Sequence, residues 1–441
     1  MTYRKFKPDY LFTGRDMAVR DSVLVTTKEG IVEAILPATE AGEDIEYLDG
    51  LLSPGFVNCH CHLELSHMKG VLPEGTGLVD FLLAVMKQRG SAAGAGAGAG
   101  AASARTGMPS TGAGAVSAGA TTNVPSGAGV ATPEHIRSAI ADAEQAMLDN
   151  GIVAVGDICN TTDTIAQKAA GRLYYHNFIE TMGFIEQSAP DRFAHSCKTF
   201  GSFADAYSFP IAANSLAPHA PYSVSAPLFG LIANFPGNHI LTIHNQESET
   251  ENEFYLSGKG DFLRLYQTMG LDVSFFKGTG KRSLESYLTH FYRNQSLILV
   301  HNVATKEEDL QYAMSWRGKG GGAGRPNLFF CLCPNANLYI GGQLPDVDLF
   351  IKHDCTIVVG TDSLASNRRL SILEELRTLQ RAFPHLPTST LLQWATYNGA
   401  EALELDSVLG SFAPGKQPGL VLIGNMEGSQ FGDAASVRRI L

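Results

Sequence analysis

The chain has 441 residues, 44% hydrophobic and 17% charged, which excludes a disordered or fibrous protein and supplies enough apolar material for one large domain plus a small one. Its 33 basic and 44 acidic residues give a formal charge of −11, which excludes a general electrostatic footprint for nucleic acid and makes a small molecule the default ligand. The opening MTYRKFKPDYLFTG has no apolar run long enough for a signal peptide or a spanning helix, so a cytoplasmic protein with no membrane partner is expected, its seven cysteines reduced.

Residues 1–52 carry short β-rich runs, SVLVTT and GIVEAIL, joined by a turn at Lys28 to Gly30. Apolar runs then recur: LLSPGFVN around Leu51, GIVAVGDI from Gly151, RLYYHNFIE from Arg172, PIAANSLAPH from Pro210, HILTIHN from His239, SLILVHN from Ser296, NLFFCLCP from Asn327 and CTIVVGTD from Cys355. Helical stretches separate them. Thr132-Pro133 opens one with Ile136, Ile140, Ala143 and Met147 on one face, and another sets Leu373, Leu376, Leu379 and Phe383 on one side. Eight continuous apolar strands alternating with helices predict a (β/α)8 TIM barrel over 53–404, which puts chemistry at the C-terminal ends of the strands. Residues 91–131, almost all Gly, Ala, Ser and Thr with Arg105 the only charge, cannot bury a core and read as a low-complexity insertion.

The strand ends are where the polar residues fall. His60 and His62, one residue apart, point to the same side of the first strand, which turns Cys59 and Cys61 the other way, toward the helices. Cys331 and Cys333 repeat that spacing and read likewise as outward packing. The fifth strand ends in His244-Asn245-Gln246-Glu247, the sixth in His301-Asn302 and the eighth in Gly360-Thr361-Asp362-Ser363. Imidazoles and a carboxylate converging from separate strands suit one divalent ion, zinc first, although ferrous iron accepts the same N/O donors. Asn335 and Asn337 in CPNAN read as turn formers.

The segments PGFVNCHCHLELS, HNQE, LVHN, CLCPNAN and VVGTDSLASN, in this order, resemble the amidohydrolase superfamily. The resemblance covers nearly the whole chain outside the insertion and points to the mononuclear deaminase and chlorohydrolase branch, with its His-x-x-Glu motif after the fifth strand. It implies His60, His62, His244 and Asp362 as metal ligands, Glu247 as proton shuttle and His301 as a hydrogen-bonding partner. The opening β unit and GSFAPGKQPGLVLI resemble the family's small composite β-sandwich domain, here 1–52 with 405–441. Binuclear relatives carry a lysine on the fourth strand where this chain has LAPHAPYSVS, so one ion is implied. A bound ion lowers the pKa of water from about 15.7 toward 7. Asp362 then accepts a proton, and Glu247 delivers protons to a ring nitrogen and to leaving ammonia, with His301 orienting water or stabilising charge. His219 resembles a substrate-contacting histidine, against a hydrogen bond to its own loop. Glu64 stands between a contact to a ring edge or ribose hydroxyl and a solvated cap.

HCHLELSHMKG, TGLVDFL, GIVAVGDICN, FIETMGF and APHAPYSVS are further similar to aminodeoxyfutalosine deaminase-like proteins of menaquinone synthesis, which implies hydrolytic deamination of an adenine-type nucleoside. The chain departs from common relatives in CPNAN for CP-x-SN and in GKQPGL for GK-x-AD. Two other readings stand beside it: a triazine or other heterocycle amino- or chlorohydrolase, since the same site can displace chloride or an amine, and a catalytically silent binding barrel. The silent barrel predicts lost ligands or a missing acid, and neither is seen. The resemblance is compatible with a homodimer.

Overall fold

A computed structural model of the chain describes residues 3–17, 20–93, 131–206, 212–316, 318 and 327–441. Six strands form one sheet from the two ends of the chain: β1 (Tyr3–Leu11), β2 (Ser22–Thr27), β3 (Val32–Pro37), β4 (Ile45–Pro54), β13 (Leu420–Glu427) and β14 (Gln430–Arg439), in the order β14-β13-β4-β1-β2-β3. β4 runs parallel to β1 and antiparallel to β13. The LLSPGFVN run, read above as one strand, is therefore two. Leu51 and Leu52 pair with Ile423 and Leu422 in this sheet, whereas β5 (Phe56–Cys61) starts a second sheet. Gly55 is the joint, because a Cβ there would sit 2.3 Å from Val153 Cγ1 and 2.8 Å from Pro418 O.

The other seven apolar runs each form a strand: β6 (Ile152–Cys159), β7 (Tyr174–Thr181), β8 (Ala212–Pro218), β9 (Ile240–Asn245), β10 (Ser296–His301), β11 (Leu328–Leu332) and β12 (Thr356–Val359). They pair in parallel as two four-stranded sheets, β5-β6-β7-β8 and β9-β10-β11-β12. The runs are continuous because both faces are covered. Val155, Ile179, Leu216, Ile243 and Leu299 lie in one core with helix residues such as Met147, Phe203 and Leu310. The alternate residues Ile158, Phe178, Val300 and Val358 make a separate core on the opposite face. Backbone hydrogen bonds cross both seams between the sheets at the strands' C-terminal ends: His244 N donates to His219 O at 2.9 Å, and Thr361 N and Asp362 N both donate to His60 O at 3.0 Å.

The helix Pro133–Asp149 starts as predicted, with the Thr132 side chain accepting from His135 N and with Ile140, Ala143 and Met147 buried. Ile372–Ala382 buries Leu373, Leu376 and Leu379, and Phe383 caps its end. The insertion read over 91–131 lies, for residues 94–130, outside the described residues. Among those described, no helix is long and apolar enough to cross a membrane.

Candidate metal centre and catalytic cluster

The C-terminal ends of β5, β9, β10 and β12 deliver His60, His62, His244, His301 and Asp362 to one chamber, all five buried. His60 Nε2 and His62 Nε2 each lie 3.5 Å from Asp362 Oδ1, and His62 Nε2 lies 3.3 Å from His244 Nε2. Nitrogen atoms of His60, His244 and His301 fall within 4.8 Å of one another, as do the donor atoms of His60, His62 and Asp362. Holding these side chains inward strains the backbone: His301, Asn302 and Asp362 adopt left-handed φ of 76°, 61° and 56°. Asn302 is anchored by its side-chain amide to Leu299 O and Cys331 O, and Asp362 Oδ2 accepts from Ser366 Oγ at 2.5 Å.

The donor set fits a divalent cation on its own chemistry. Burial pushes the pKa of His62 and His244 well below the usual imidazole range, and burial also lowers His301 against the opposing pull of Asp362 and Asn337. The neutral form of His62, His244 and His301 is therefore favoured, with lone pairs to offer. Burial alone would raise Asp362, but His60, His62 and His301 around it hold it well below the ordinary carboxylate value. His244 Nδ1 donates to His219 O at 2.7 Å, which leaves the Nε2 lone pair facing His62. Neither ring nitrogen of His60, nor Nδ1 of His62, has a hydrogen-bond partner although both rings are buried. Buried imidazoles left bare and turned toward a carboxylate are what a cation site looks like from the protein side.

Glu247 stands beside this cluster, its Oε1 3.6 Å from His301 Nε2. Burial and, secondarily, the charge of Asp362 push its pKa well above the ordinary carboxylate value, which favours its protonated form. His301 Nδ1 is held by Asn337 Oδ1 at 2.8 Å. Asn337 thus acts on a site residue, where the sequence suggested only a turn. Asn335 is structural, with its amide on Glu375 Oε2 and its side chain taking Thr378 Oγ1. A cavity of about 320 Å3, lined by Leu78, Val79, Glu247, Asn337 and Ile340 among others, reaches Glu247.

The two substrate candidates are placed differently. His219 Nδ1 pairs with Ser223 Oγ of its own loop at 2.7 Å, while its ring lies 4.8 Å from that of His244, so the loop bond and the position at the chamber coexist. Its pKa is pushed down to about 3 by burial. Glu64 is buried, which corrects the solvated-cap reading. Arg89 Nη2 donates to Oε1 at 2.7 Å, and Oε2 takes Asn160 N, Thr161 N and Thr161 Oγ1 at 3.0, 2.9 and 3.1 Å. Sequence reasoning missed Glu180, at the end of β7 within FIETMGF. It is buried, with its pKa pushed up to about 7 by burial, and its Oε1 is 3.8 Å from His244 Nδ1.

Of the four thiols expected to pack outward, one does. Cys61 packs in the core shared with the helices, but Cys59, Cys331 and Cys333 lie in the opposite core with Phe178 and Val358. A register shift between Asn58 and Cys61 breaks the period of two that the outward reading assumed. None of the seven cysteines forms a disulfide, and among the described residues no thiol belongs to a metal-capable group.

Residues 51–434 match the amidohydrolase family. An adenosine deaminase of Helicobacter pylori is 30% identical over 301 residues, covering 67% of this chain and 70% of that protein. An aminodeoxyfutalosine deaminase of Nitratiruptor is 24% identical over 386 residues, covering 86% of this chain and 80% of that protein. The crystal structure of Helicobacter pylori aminofutalosine deaminase in complex with methylthio-coformycin superposes with a TM-score of 0.75 at 21% identity, covering 99% of this chain and 100% of that one. The fold the two share is of the TIM-barrel α/β type.

Proposed function

Because the chain belongs to the amidohydrolase family, we propose that it is a metal-dependent deaminase that hydrolyses the exocyclic amine of an adenine-type nucleoside, of the aminodeoxyfutalosine kind. The reaction class follows from the family and from relatives named as deaminases. The observation that carries the reading is the convergence of His60, His62, His244, His301 and Asp362 on one buried chamber beside Glu247, with burial pushing Glu247 up while the imidazoles hold Asp362 down. Such a set separates one proton donor from one proton acceptor a few ångströms apart.

His60, His62, His244 and Asp362 are the residues we assign to the ion, with zinc as its identity. A divalent cation there supplies Lewis acidity that makes hydroxide available at neutral pH. Asp362 takes a proton from water. Glu247 gives its proton to the ring nitrogen next to the amine-bearing carbon, so that negative charge does not build up on the ring as the new C–O bond forms. Glu247 then takes the remaining proton of the added hydroxyl as the carbonyl forms and carries it to the amine as the C–N bond breaks, and the proton held by Asp362 returns to Glu247. His301, fixed by Asn337, holds its Nε2 toward Glu247 and orients the attacking oxygen. Closure of the eight strands as a barrel over 53–404 is supported by the hydrogen bonds at both seams, and a composite β-sandwich of 1–52 and 405–441 by the sheet that strands of both ends share. A cytoplasmic homodimer completes the reading.

The test is ammonia release by metal-loaded protein from adenosine and 5′-substituted adenosines, with metal content measured alongside. Release from these nucleosides is expected. Inertness toward every adenine nucleoside, with turnover of aminated or chlorinated triazines, overturns the substrate assignment.

A further inference from the structure

We propose that Glu180 binds a ribose hydroxyl of the substrate and so sets a preference for ribonucleosides over deoxyribonucleosides; this rests on the deaminase reading above. The sequence offered that contact to Glu64, but Glu64 has no oxygen to spare. Its Oε1 holds Arg89 and its Oε2 takes three donors from Asn160 and Thr161. The same loop passes the task on, because Asn160 Nδ2 donates to Glu180 Oε2 at 2.8 Å and fixes that carboxylate. Glu180 Oε1 is left buried with no hydrogen-bond partner, on a side chain only 4% exposed.

That free oxygen faces the chamber. Glu180 lies on the same face of β7 as His176 and Phe178, and Phe178 belongs to the core on the inner face of the strands. A carboxylate oxygen of Glu180 lies within 4.8 Å of nitrogens on both His219 and His244. Neither histidine satisfies it: His244 Nδ1 is committed to His219 O, and His219 Nδ1 to Ser223 Oγ. A buried acceptor without a donor is costly unless a ligand brings one. Glu247 approaches from the end of β9, with β8 and His219 between it and Glu180. Glu247 therefore meets the reacting edge of the purine, and Glu180 is placed for donors on another part of the nucleoside. The hydroxyls of the sugar are those donors.

The experiment compares kcat/KM for adenosine, 2′-deoxyadenosine and 3′-deoxyadenosine in the wild type, in Glu180→Ala and in Glu180→Gln, with metal content measured for each. In the wild type, one or both deoxy substrates should be about tenfold to a hundredfold poorer, the worth of a hydrogen bond to a buried carboxyl acceptor otherwise left unpaired. In Glu180→Ala the ratio should fall toward one, mainly by loss on adenosine. Glu180→Gln keeps the bond from Asn160 and should show a reduced ratio even if the alanine variant does not accumulate. An unchanged ratio in a variant that retains its metal overturns the inference and leaves the deaminase reading intact. Loss of metal in place of lost discrimination also overturns it, assigning Glu180 to the support of His244. A wild type inert to all three nucleosides removes both.

Discussion

Glu247 and Asp362 are both carboxylates in one buried chamber, and their surroundings drive them in opposite directions. Burial and the charge of Asp362 both push Glu247 up, whereas Asp362 is ringed by imidazoles that pull it down. Glu247→Gln should retain metal yet lower kcat by about a hundredfold or more, because the amide keeps the shape but cannot shuttle a proton. Metal analysis beside steady-state kinetics checks it, and full turnover would remove Glu247 from the role. Asn337→Ala should act more gently. It frees His301 Nδ1, and kcat should fall by about tenfold with KM little changed. The convergence of His60, His62, His244, His301, Asp362 and Glu247 was readable because each stands at or just past the end of a strand signature. Asn337, Glu180 and the burial of Glu64 were not readable, because each depends on a partner distant in the chain: His301 for Asn337, Asn160 for Glu180 and Arg89 for Glu64.

Among the elements, the helix Glu249–Ser257 that follows the site carries a titrating group of its own. Glu251 Oε1 accepts from Gln246 N and Ser283 Oγ, while its Oε2 is buried without a partner. Burial, only partly offset by these bonds, pushes its pKa up to about 8. With a folded pKa above the unfolded one, the folded state holds the extra proton. The resulting stabilisation is fully present below about pH 4.5 and is lost as pH rises through about 8. Glu251→Gln, neutral throughout, should flatten that part of the stability profile and gain on the wild type above pH 8. Urea midpoints between pH 5 and 9 check this, and parallel profiles would contradict it. The strands themselves were legible because parallel strands covered on both faces need unbroken apolar runs. Two local departures were not. Gly55 divides one run between two sheets, and the irregular register of β5 turns Cys59 inward.

Across the whole molecule, the proposed ion ties β5, β9 and β12, which belong to two different sheets. Its removal should therefore lower global stability as well as activity. With free metal at a thousandfold over its Kd, the linkage is worth about 4.1 kcal/mol, so chelation should lower Tm by several degrees and readdition should restore it. A Tm indifferent to chelator would argue that the cluster does not hold an ion. The alternation of strands and helices was legible along the chain. The pairing of its two ends was legible only through family resemblance, because no local pattern says that β13 will lie beside β4.

That pairing also fixes an order of events during synthesis. β1 to β4 leave the ribosome before β5 to β12, but the β4 edge facing β13 cannot be covered until residues 420–427 emerge, after every strand of the other two sheets. The nascent chain must shelter an apolar edge, Leu51 and Leu52 included, while all eight of those strands are made. Premature stop codons late in the message should therefore yield insoluble product rather than a weakened enzyme, even though such truncations leave every chamber residue in place.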